Sequence, residues 1–352
     1  MEHIEGFGDQ LTNWYHRHKR SLPWRETNDP YAIWLSEIIL QQTRIDQGLA
    51  YYNRFIKNYP VIEKLAAATE DEILKLWQGL GYYSRARNLH HTAKYITTEL
   101  GGQFPASYGT LLKLKGVGEY TAAAIASISF GLPYAVVDGN VFRVIARLFG
   151  IDTAINSTEG KKQFAQLAQQ LLHTTHPADH NQAMMEFGAV QCTPKNPDCK
   201  NCLFQPRCFA YKHRLVDQLP VKNSKTKIRH RYFNYLIAEN GNWVYLQKRI
   251  GSDIWKNLYE FPLIETDVET SPAEFLDSAM QLETYKNGLV KEISNWYKQV
   301  LSHQLIHFRF IQIEITNKNR APQSFVRVNK KDILNFAVPK PVERKIEQLG
   351  WG

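Results

Sequence analysis

The spacing of apolar residues changes character about two thirds of the way along this chain of 352 residues. Up to about residue 210, apolar positions recur every three to four residues, the period of amphipathic helices. One such segment begins at Asp29-Pro30, which places an N-capping acid before a first-turn proline, and continues through Ile33, Ile38 and Leu40. Further helices are predicted at 62–78, 85–99, 119–130, 141–149 and 160–174.

Beyond residue 230 the pattern becomes typical of strands. Tyr232 to Ile237 is predicted as a strand, and Asn240-Gly241 as a hairpin turn that leads into a second strand from Trp243 to Leu246. Isoleucines alternate with polar residues over 311–315, as in a half-buried strand. Helices are also expected at 272–283 and 286–300. The change of pattern predicts two domains, the second of mixed α and β structure.

Charge and composition indicate the type of partner. The 43 lysines and arginines exceed the 34 acids, which favours a polyanionic partner. The first ten residues lack the basic flank and apolar core of a leader, and no apolar run is long enough to span a membrane. We therefore expect a soluble intracellular protein with no membrane partner.

A basic segment separates the two predicted domains. It runs over 211–229 and holds several lysines and arginines against a single acid, Asp217. It could be a solvated tether or could contact phosphates, and the sequence leaves both open. The predicted organisation is a helical domain over 1–210, this linker, and a second domain over 230–352.

All four cysteines fall within a window of seventeen residues and have the spacing C-x6-C-x2-C-x5-C. A reduced intracellular chain of this length does not need disulfides, so the clustering indicates a metal site. Structural zinc usually takes two close pairs, whereas only the middle two cysteines are close here, which favours an iron–sulfur cluster over zinc. The predicted ligands are Cys192, Cys199, Cys202 and Cys208.

A glycine turn is the first candidate for ligand binding. Gly116-Val117-Gly118 lies between a leucine-rich helix end and the helical run from Tyr120 onward. Without side chains at 116 and 118, a phosphate could approach the backbone N–H groups at the helix N-terminus. An ordinary turn between helices is the alternative reading of the same pattern.

Two carboxyls are candidates for acid–base chemistry. Glu37 lies one helical turn from Ile33 and Leu40, so its carboxyl would emerge among apolar side chains with a raised pKa, as a general acid requires. The alternative is an exposed position at the helix rim. Asp138 precedes Gly139-Asn140, where it could also be only a helix N-cap. One protonated and one ionised carboxyl together suit cleavage of a glycosidic bond.

The cysteine spacing, the Gly-Val-Gly turn and the sequence Val137-Asp138-Gly139-Asn140 together resemble the helix-hairpin-helix DNA glycosylases. Within that superfamily the chain is similar to the MutY adenine DNA glycosylases. This narrower resemblance is carried by Leu22-Pro23-Trp24-Arg25, Trp34-Leu35-Ser36-Glu37, Leu40-Gln41-Gln42-Thr43 and Gly79-Leu80-Gly81-Tyr82-Tyr83-Ser84-Arg85. It is dense over 22–208. It is weaker over 230–352, which looks like an α+β Nudix-type recognition domain following the mainly α catalytic domain.

The resemblance implies a function and a set of site residues. MutY enzymes flip out adenine mispaired with 8-oxoguanine and remove it. By resemblance, Glu37 would protonate adenine N7, Asp138 would stabilise positive charge at the sugar C1′, and Tyr120 and Asn140 would orient them. The implied adenine pocket contains Trp24, Arg25, Leu40 and Gln182. The implied contacts with DNA or the oxidised guanine are Gln42, Thr43, Leu80, Tyr82, Gly116, Gly118 and His307.

The resemblance also implies a cofactor, a partner and a location. The four cysteines would hold a [4Fe–4S] cluster, and the substrate would be double-stranded DNA with adenine opposite 8-oxoguanine or guanine. A cytoplasmic, nucleoid-associated monomer is expected. Tyr120 stands where the similar endonuclease III enzymes carry a lysine that forms a Schiff base, so a monofunctional enzyme is predicted.

The resemblance departs from the family pattern at two places in the second domain. The family's Phe-Ser-His loop is best matched by Leu305-Ile306-His307, with Ser302-His303 as a rival, and isoleucine cannot supply the serine hydroxyl. No magnesium-binding Nudix box follows Glu260, so pyrophosphatase activity is not expected. The competing interpretations are an endonuclease III-like glycosylase of other base specificity and a non-catalytic binder of damaged DNA.

Overall fold

The computed structural model describes residues 6–223, 228–316 and 321–352. Residues 224–227 of the predicted basic linker, and residues 1–5 of the ten used to argue against a leader, therefore lie outside the described residues. The chain divides into two compact units, one of Met1–Ala67 with Asn88–Ser224 and one of Ala68–Arg87 with Lys225–Gly352. The boundaries predicted from the sequence, 1–210, 211–229 and 230–352, stay a prediction. The two compact units differ from them in that residues 68–87 belong with the C-terminal part.

The chain up to residue 212 is helical. Two short 3-10 turns lie at Pro23–Arg25 and Gln205–Arg207. The helices are α1 (Phe7–His18), α2 (Pro30–Leu40), α3 (Ile45–Asn58), α4 (Ile62–Ala67), α5 (Glu70–Trp77), α6 (Ser84–Glu99), α7 (Tyr108–Leu111), α8 (Glu119–Phe130), α9 (Gly139–Phe149), α10 (Thr158–Leu171), α11 (Pro177–Val190) and α12 (Phe209–Lys212).

Helix α2 begins as predicted and is the most deeply buried helix near the site. The Asp29 carboxylate accepts a hydrogen bond from Tyr31 N at 3.1 Å, and Pro30 occupies the first turn. Every residue of α2 from Tyr31 to Ile39 is buried, so the helix is apolar nearly all round. A carboxyl on such a helix cannot remain at an exposed rim.

The prediction of one helix over 62–78 is wrong. Helix α4 ends at Ala67, and α5 starts at Glu70 behind a capping box in which Thr69 and Glu72 bond to each other's backbone N–H. The cap gives α5 its own start. The remaining predicted helices correspond to α6, α8, α9 and α10 within a few residues.

The core of the first unit lies between α1, α9, α10 and α11. Its buried members include Phe7, Leu11, Ile145, Phe164 and Phe187. The cysteines at 192, 202 and 208 pack against the same core. The end of α9 and the cysteine loop are therefore held by one set of apolar contacts.

The second unit contains a mixed sheet of eight strands among its described residues. β1 pairs in parallel with β7 from Arg229–Gln304 to Glu239–Glu314, and the other pairs are antiparallel. The strands are β1 (Arg229–Asn240), β2 (Trp243–Lys248), β3 (Tyr259–Glu260), β4 (Leu263–Thr266), β5 (Leu289–Ile293), β6 (Tyr297–Val300), β7 (Gln304–Glu314) and β8 (Phe325–Asn329), with helices α13 (Pro272–Ala279) and α14 (Lys340–Gln348).

The sheet carries a core on each face. Phe233, Phe308 and Val342 of α14 belong to one cluster, and Ile311 and Phe275 of α13 belong to the other. The predicted strands around 232–246 and 311–315, and the turn at Gly241, are confirmed. No helix in the described part of the chain is long and apolar enough to cross a bilayer.

The helix predicted over 286–300 is wrong, because this stretch forms β5 and β6. Both strands pair antiparallel with β7, whose backbone donors and acceptors they satisfy. The helix predicted over 272–283 is shorter, and α13 ends at Ala279. Pairing with β7, rather than local propensity, decides the conformation of 289–300.

Candidate active site

A cavity of about 180 Å³ in the first unit brings together all the predicted catalytic and adenine-pocket residues. An apolar cavity of about 150 Å³ can hold one benzene ring, so this one can admit a planar base. Its lining comprises Arg20, Leu22, Trp24, Arg25, Ile33, Ser36, Glu37, Leu40, Thr43, Ile45, Tyr120, Ile128, Asp138, Asn140, Gln182, Met185, Glu186 and Ala189.

Glu37 is the buried carboxyl of this cavity. Its side chain projects from α2 and the residue is 7% exposed. Burial raises the pKa of Glu37 to about 7, with the nearby Asp138 adding to the rise and a hydrogen bond from Tyr120 opposing it. The alternative of an exposed rim position is excluded. Near neutral pH the carboxyl can therefore still hold a proton.

Tyr120 lies in the first turn of α8 and lines the cavity beside Glu37. Its hydroxyl hydrogen bonds with Glu37 and lies 3.3 Å from the sulfur of Met185. Burial first, and then the two carboxyls, raise its pKa well above the ordinary value. The hydroxyl of Tyr120 therefore stays neutral and can donate a hydrogen bond. A tyrosine also has no amine group with which to attack a sugar.

Asp138 is both the N-cap of α9 and a member of the cavity lining. Its Oδ1 accepts from the backbone N–H groups of Asn140 at 2.9 Å and Val141 at 2.8 Å, and its Oδ2 accepts from Asn140 Nδ2 at 2.7 Å. Burial raises the pKa of Asp138, while these donors and Arg143 act in the opposite direction. With three N–H donors at a helix N-terminus, Asp138 is the better stabilised of the two carboxylates.

Arg143, one turn into α9, was not predicted as a site residue. Its Nη2 donates to Asn140 Oδ1 at 2.9 Å and to Gly188 O at 2.6 Å, and its Nε donates to Cys192 O at 2.7 Å. Arg143 thus holds Asn140, which bonds Asp138, and also holds the start of the cysteine loop. The sequence offers no local signal for this role, because both carbonyl partners lie more than forty residues away.

Glu186 of α11 was also missed and carries a charge at the cavity wall. Its carboxylate is bonded by Arg20 Nε at 2.8 Å and Nη2 at 2.6 Å, and by Arg25 Nη2 at 2.7 Å. Burial opposes ionisation, but these bonds hold the pKa of Glu186 at about 2. The predicted pocket residue Gln182 lies one turn earlier on α11, a spacing that could have indicated Glu186.

The other predicted pocket residues also line the cavity. Trp24 is buried and packs edge-on against Tyr52 at 5.0 Å between ring centroids. Gln182 accepts a hydrogen bond from the Tyr15 hydroxyl at 3.1 Å. Leu40, at the end of α2, adds an apolar wall. The cavity is therefore lined by both apolar and hydrogen-bonding side chains.

Gln42 and Thr43 follow α2, and Thr43 lines the cavity. Gln42 is exposed and adopts a left-handed backbone, with φ of 55°. This conformation is uncommon in residues other than glycine and is often found at functional positions. The chain at this point therefore holds an exposed polar side chain in a conformation that local preference does not explain.

The glycine turn precedes α8 as predicted. Gly116 has φ of 83°, and a Cβ there would lie 2.8 Å from Asn88 Cβ, so only glycine fits. Gly118 is the N-cap of α8, is exposed, and has open space where a Cβ would point. No side chain caps this helix end, so its first N–H groups face outward for an anion.

The four cysteines of the loop line one small cavity of about 30 Å³, together with Arg147 and Asp198. Arg147 Nη1 lies 3.5 Å from Cys192 Sγ and also donates to Thr193 O at 2.8 Å. Among the described residues, no three or more histidine, cysteine, aspartate or glutamate side chains lie close enough together to bind a metal ion as they stand. The donor set, four thiols around one cavity beside a cation, nevertheless fits an iron–sulfur group.

The second unit contains the remaining predicted contacts. Tyr82 is 46% exposed, has φ of 47°, and its hydroxyl hydrogen bonds with Ser302 Oγ. Leu80 is buried and is not presented to solvent. His307 lies within β7, is buried and bonds His230 at 3.1 Å.

The structure separates the two stretches that could match the Phe-Ser-His loop. Ile306 is fully buried in the sheet, whereas Ser302 and His303 are exposed in the turn between β6 and β7. Of the two candidates in the sequence, Ser302-His303 is therefore the one whose side chains are open to solvent. The sequence favoured His307 because Leu305-Ile306-His307 is the best local match to the Phe-Ser-His motif. That match is loose, and sequence alone does not reveal which of the two stretches is exposed.

Comparison with known proteins identifies relatives of both parts. Residues 35–172 match the family described as HhH-GPD superfamily base excision DNA repair protein, and residues 234–348 match the NUDIX domain family. The chain is 32% identical to the adenine DNA glycosylase of Buchnera aphidicola subsp. Schizaphis graminum, covering 97% of this chain and 98% of that protein. It is 42% identical to the human adenine DNA glycosylase over 63% of this chain and 42% of the human protein.

Two solved structures are similar to the helical part. A thermostable thymine-DNA glycosylase matches with a TM-score of 0.56 and 31% identity, over 60% of this chain and 98% of that chain. A trapped endonuclease III–DNA covalent intermediate matches with a TM-score of 0.53 and 21% identity, over 61% and 98% of the two chains. The second likeness concerns the fold alone.

Proposed function

Because this chain belongs to the adenine DNA glycosylase family, we propose that it is a monofunctional base-excision repair enzyme that removes adenine opposite 8-oxoguanine from double-stranded DNA. The observation that carries the proposal is the pairing of Glu37 and Asp138 across one cavity. Burial gives Glu37 a pKa of about 7, while Asp138 accepts three hydrogen bonds at a helix N-terminus. One carboxyl can hold a proton while the other is ionised.

The proposed chemistry follows from these two protonation states. Glu37 donates its proton to N7 of the flipped adenine, and the electron pair of the bond between N9 and C1′ leaves with the base. The Asp138 carboxylate stabilises the positive charge that develops at C1′. Water then adds to C1′ and loses a proton, so the products are free adenine and an intact abasic site.

The cavity wall supports recognition of a purine. Arg25 is held by Glu186 at 2.7 Å, and Gln182 is held by Tyr15 at 3.1 Å. Side chains that are already fixed lose little freedom when a base binds, so they can discriminate between bases by hydrogen bonding. We assign Trp24, Arg25, Leu40 and Gln182 to the adenine pocket.

The monofunctional part of the proposal rests on Tyr120. A lyase of this superfamily needs an amine that can form a Schiff base with the sugar, and no lysine lines the cavity within the described part of the chain. Tyr120 instead donates a hydrogen bond to Glu37. Strand cleavage should therefore require added alkali.

Contacts with DNA are assigned to the glycine turn and to two strained residues. Gly116 and Gly118 leave the N-terminus of α8 open to a phosphate. Gln42 and Tyr82 are exposed residues with left-handed backbone, and we assign them to the DNA helix at the mispair. Thr43, next to Gln42, lines the cavity and is assigned a contact near the extruded base.

Recognition of 8-oxoguanine is assigned to Tyr82 and Ser302, rather than to His307. The two hydroxyls bond each other at the exposed turn before β7. A serine hydroxyl can both donate and accept, so it can recognise the atoms by which 8-oxoguanine differs from guanine. His307 is buried within β7 and has its own partner in His230.

The cysteine loop is proposed to hold a [4Fe–4S] cluster. Cys192, Cys199, Cys202 and Cys208 would be its ligands, and the cluster would supply a rigid anchor for the loop. Arg143 and Arg147 bond to carbonyls of Cys192 and Thr193, so they would fix the anchored loop to α9. Iron and sulfide analysis of the purified protein, with Cys199→Ser as the comparison, would test this assignment.

The test of the proposed function is single-turnover base release from matched duplexes. The duplexes hold adenine opposite 8-oxoguanine, adenine opposite guanine, the normal pair of adenine and thymine, or thymine opposite guanine. The last duplex is included because the helical part is similar to a thymine-DNA glycosylase. We expect adenine release from the first two only, with strand breaks only after alkali. Breaks without alkali would contradict the monofunctional proposal, and thymine release would contradict the base specificity.

Two substitutions test the roles of the carboxyls. Glu37→Gln and Asp138→Asn should retain binding to the mispaired duplex and lose base release by at least about a hundredfold, the usual contribution of a positioned acid. If either variant released adenine at a near-normal rate, its assigned role would be wrong. A protein that binds the duplex tightly but releases no base in any variant would be a non-catalytic binder.

A further inference from the structure

Residues 68–87 contact the C-terminal part of the second unit through polar side chains. Asp71 of α5 uses both carboxylate oxygens: Oδ1 lies 2.5 Å from Lys248 Nζ of β2, and Oδ2 accepts from the Tyr259 hydroxyl of β3 at 3.1 Å. The neighbouring Glu70 accepts a hydrogen bond from Asn257 Nδ2. The start of α5 is thus bonded to two adjacent strands and to the loop between them.

The end of α5 has a second set of contacts. Gln78 Nε2 donates to Glu343 Oε1 at 2.7 Å, and Gln78 Oε1 accepts from Val338 N at 3.3 Å. Lys75 Nζ donates to Phe336 O at 3.2 Å. These partners lie in α14 and in the segment before it. Both ends of α5 are therefore tied to the C-terminal part of the unit.

The loop after α5 carries Tyr82. Its hydroxyl meets Ser302 beyond β6, and the following Arg87 donates from Nη1 to Lys256 O at 2.9 Å. The hydrogen bond between the hydroxyls of Tyr82 and Ser302 is exposed and therefore weak by itself. The left-handed backbone at Tyr82 also costs conformational energy. The contact therefore needs both of its chain segments to be held by other bonds.

We propose that Asp71 is a positioning residue that, with Gln78 at the other end of α5, holds Tyr82 against Ser302 and so sets the preference for 8-oxoguanine over guanine. This inference rests on the proposed function. Asp71 and Lys248 have side chains that are 46% and 32% exposed, and ion pairs of that kind add little to stability. Their effect should therefore be seen in specificity and not in folding.

The test is the ratio of single-turnover rates on duplexes with adenine opposite 8-oxoguanine and adenine opposite guanine. Asp71→Ala should lower this ratio about two- to fivefold, the size expected from a partly exposed charged contact. The rate on adenine opposite guanine should stay unchanged, because Asp71 does not touch the cavity that releases the base. Lys248→Met should lower the ratio less than Asp71→Ala, because Asp71 then keeps its hydrogen bond with Tyr259. The double variant should be no worse than Asp71→Ala alone, because Asp71→Ala already removes the ion pair.

A matched control is Glu314→Ala on β7. Its partner Lys291 lies 2.9 Å away and the Glu314 side chain is 43% exposed, so it removes a similar ion pair from the same sheet without touching 68–87. The control should leave the ratio unchanged. If Asp71→Ala also left the ratio unchanged, or lowered both rates equally, the positioning role would be wrong while the proposed function stood. A wild-type protein that releases adenine without preferring 8-oxoguanine would overturn both proposals.

Discussion

Arg25 donates a hydrogen bond to Glu186 at 2.7 Å, across 161 residues of sequence, and this pair forms one wall of the base cavity. Glu186 is 1% exposed, and it also receives three hydrogen bonds from Arg20, two from the guanidinium group and one from the backbone N–H. A buried carboxylate of this kind is favourable only because its donors surround it. The orientation of Arg25 in the cavity therefore depends on the charge of Glu186.

We expect Glu186→Gln to destabilise the protein and to weaken substrate binding. The folded pKa of Glu186, about 2, is below its ordinary 4.5, so its stabilisation is present above about pH 4.5 and is lost as the pH falls towards 2. The variant should lose about 2 kcal/mol of unfolding free energy at pH 7, and less at pH 3. Urea unfolding at both pH values measures this. The control Asp179→Asn removes an exposed pair from the same helix and should have almost no effect.

Base release should fall as the pH rises through about 7. The protonated form of Glu37 is the proposed acid, and its pKa of about 7 means that each pH unit above this value removes about tenfold of the active form. Single-turnover rates between pH 5.5 and 9 measure this profile. A rate that stayed constant up to pH 9 would contradict the role of Glu37 as the acid.

The same carboxyl should make stability depend on pH. The folded pKa of Glu37, about 7, lies above its ordinary value of 4.5, so between these pH values the carboxyl is protonated in the folded protein and ionised in the unfolded chain. The free energy of unfolding therefore falls as the pH rises from about 4.5 to 7. Glu37→Gln removes this loss and should be more stable than the wild type by up to about 3 kcal/mol above pH 7. Glu63→Gln, at an exposed carboxylate of α4, should leave the pH dependence unchanged. An equal difference at pH 4.5 and pH 8 would contradict the burial argument.

Arg143→Lys should impair catalysis and stability together. Lysine keeps the charge but cannot reach Asn140, Gly188 O and Cys192 O at once, so buried acceptors lose their donors. We expect about 1–3 kcal/mol less unfolding free energy and at least about tenfold slower base release. Arg17→Lys, on an exposed arginine of α1, is the control and should change neither quantity. Normal base release by Arg143→Lys would show that Asn140 does not need this support.

The two turn glycines should respond differently to alanine. Gly116→Ala forces a left-handed alanine against Asn88 and should cost about 1–3 kcal/mol of stability. Gly118→Ala has open space and an ordinary backbone, so it should fold normally but bind DNA more weakly, since its methyl group stands where a phosphate would approach. Thermal unfolding and binding to an undamaged duplex separate the two effects. Equal DNA affinity of Gly118→Ala and the wild type would contradict the phosphate site.

Local sequence signals predicted the elements whose ends are set by neighbouring residues. Asp29-Pro30 gave the start of α2, and Asn240-Gly241 gave the hairpin between β1 and β2. The alternation over 311–315 gave the end of β7. Each of these depends on capping, turn chemistry or burial of one face, all of which act within a few residues.

The sequence failed where distant partners decide the structure. The stretch 286–300 forms strands because β7 pairs with it, and Glu186 and Arg143 belong to the site because of partners far along the chain. The exposure of Ser302 and the burial of Ile306 follow from the position of the turn before β7. No local pattern could choose between these two matches to the family motif.

Arg143 and Arg147 limit how far this chain could be shortened by protein engineering. Their guanidinium groups donate to Cys192 O, Thr193 O, Pro194 O and Leu219 O, which are acceptors that only the segment after α11 supplies. A minimal fragment ending at residue 190 would leave two buried cations on α9 without these acceptors. A truncation would need apolar replacements at both arginines, and the one at 143 would release Asn140. The smallest working catalytic fragment should therefore extend through Leu219.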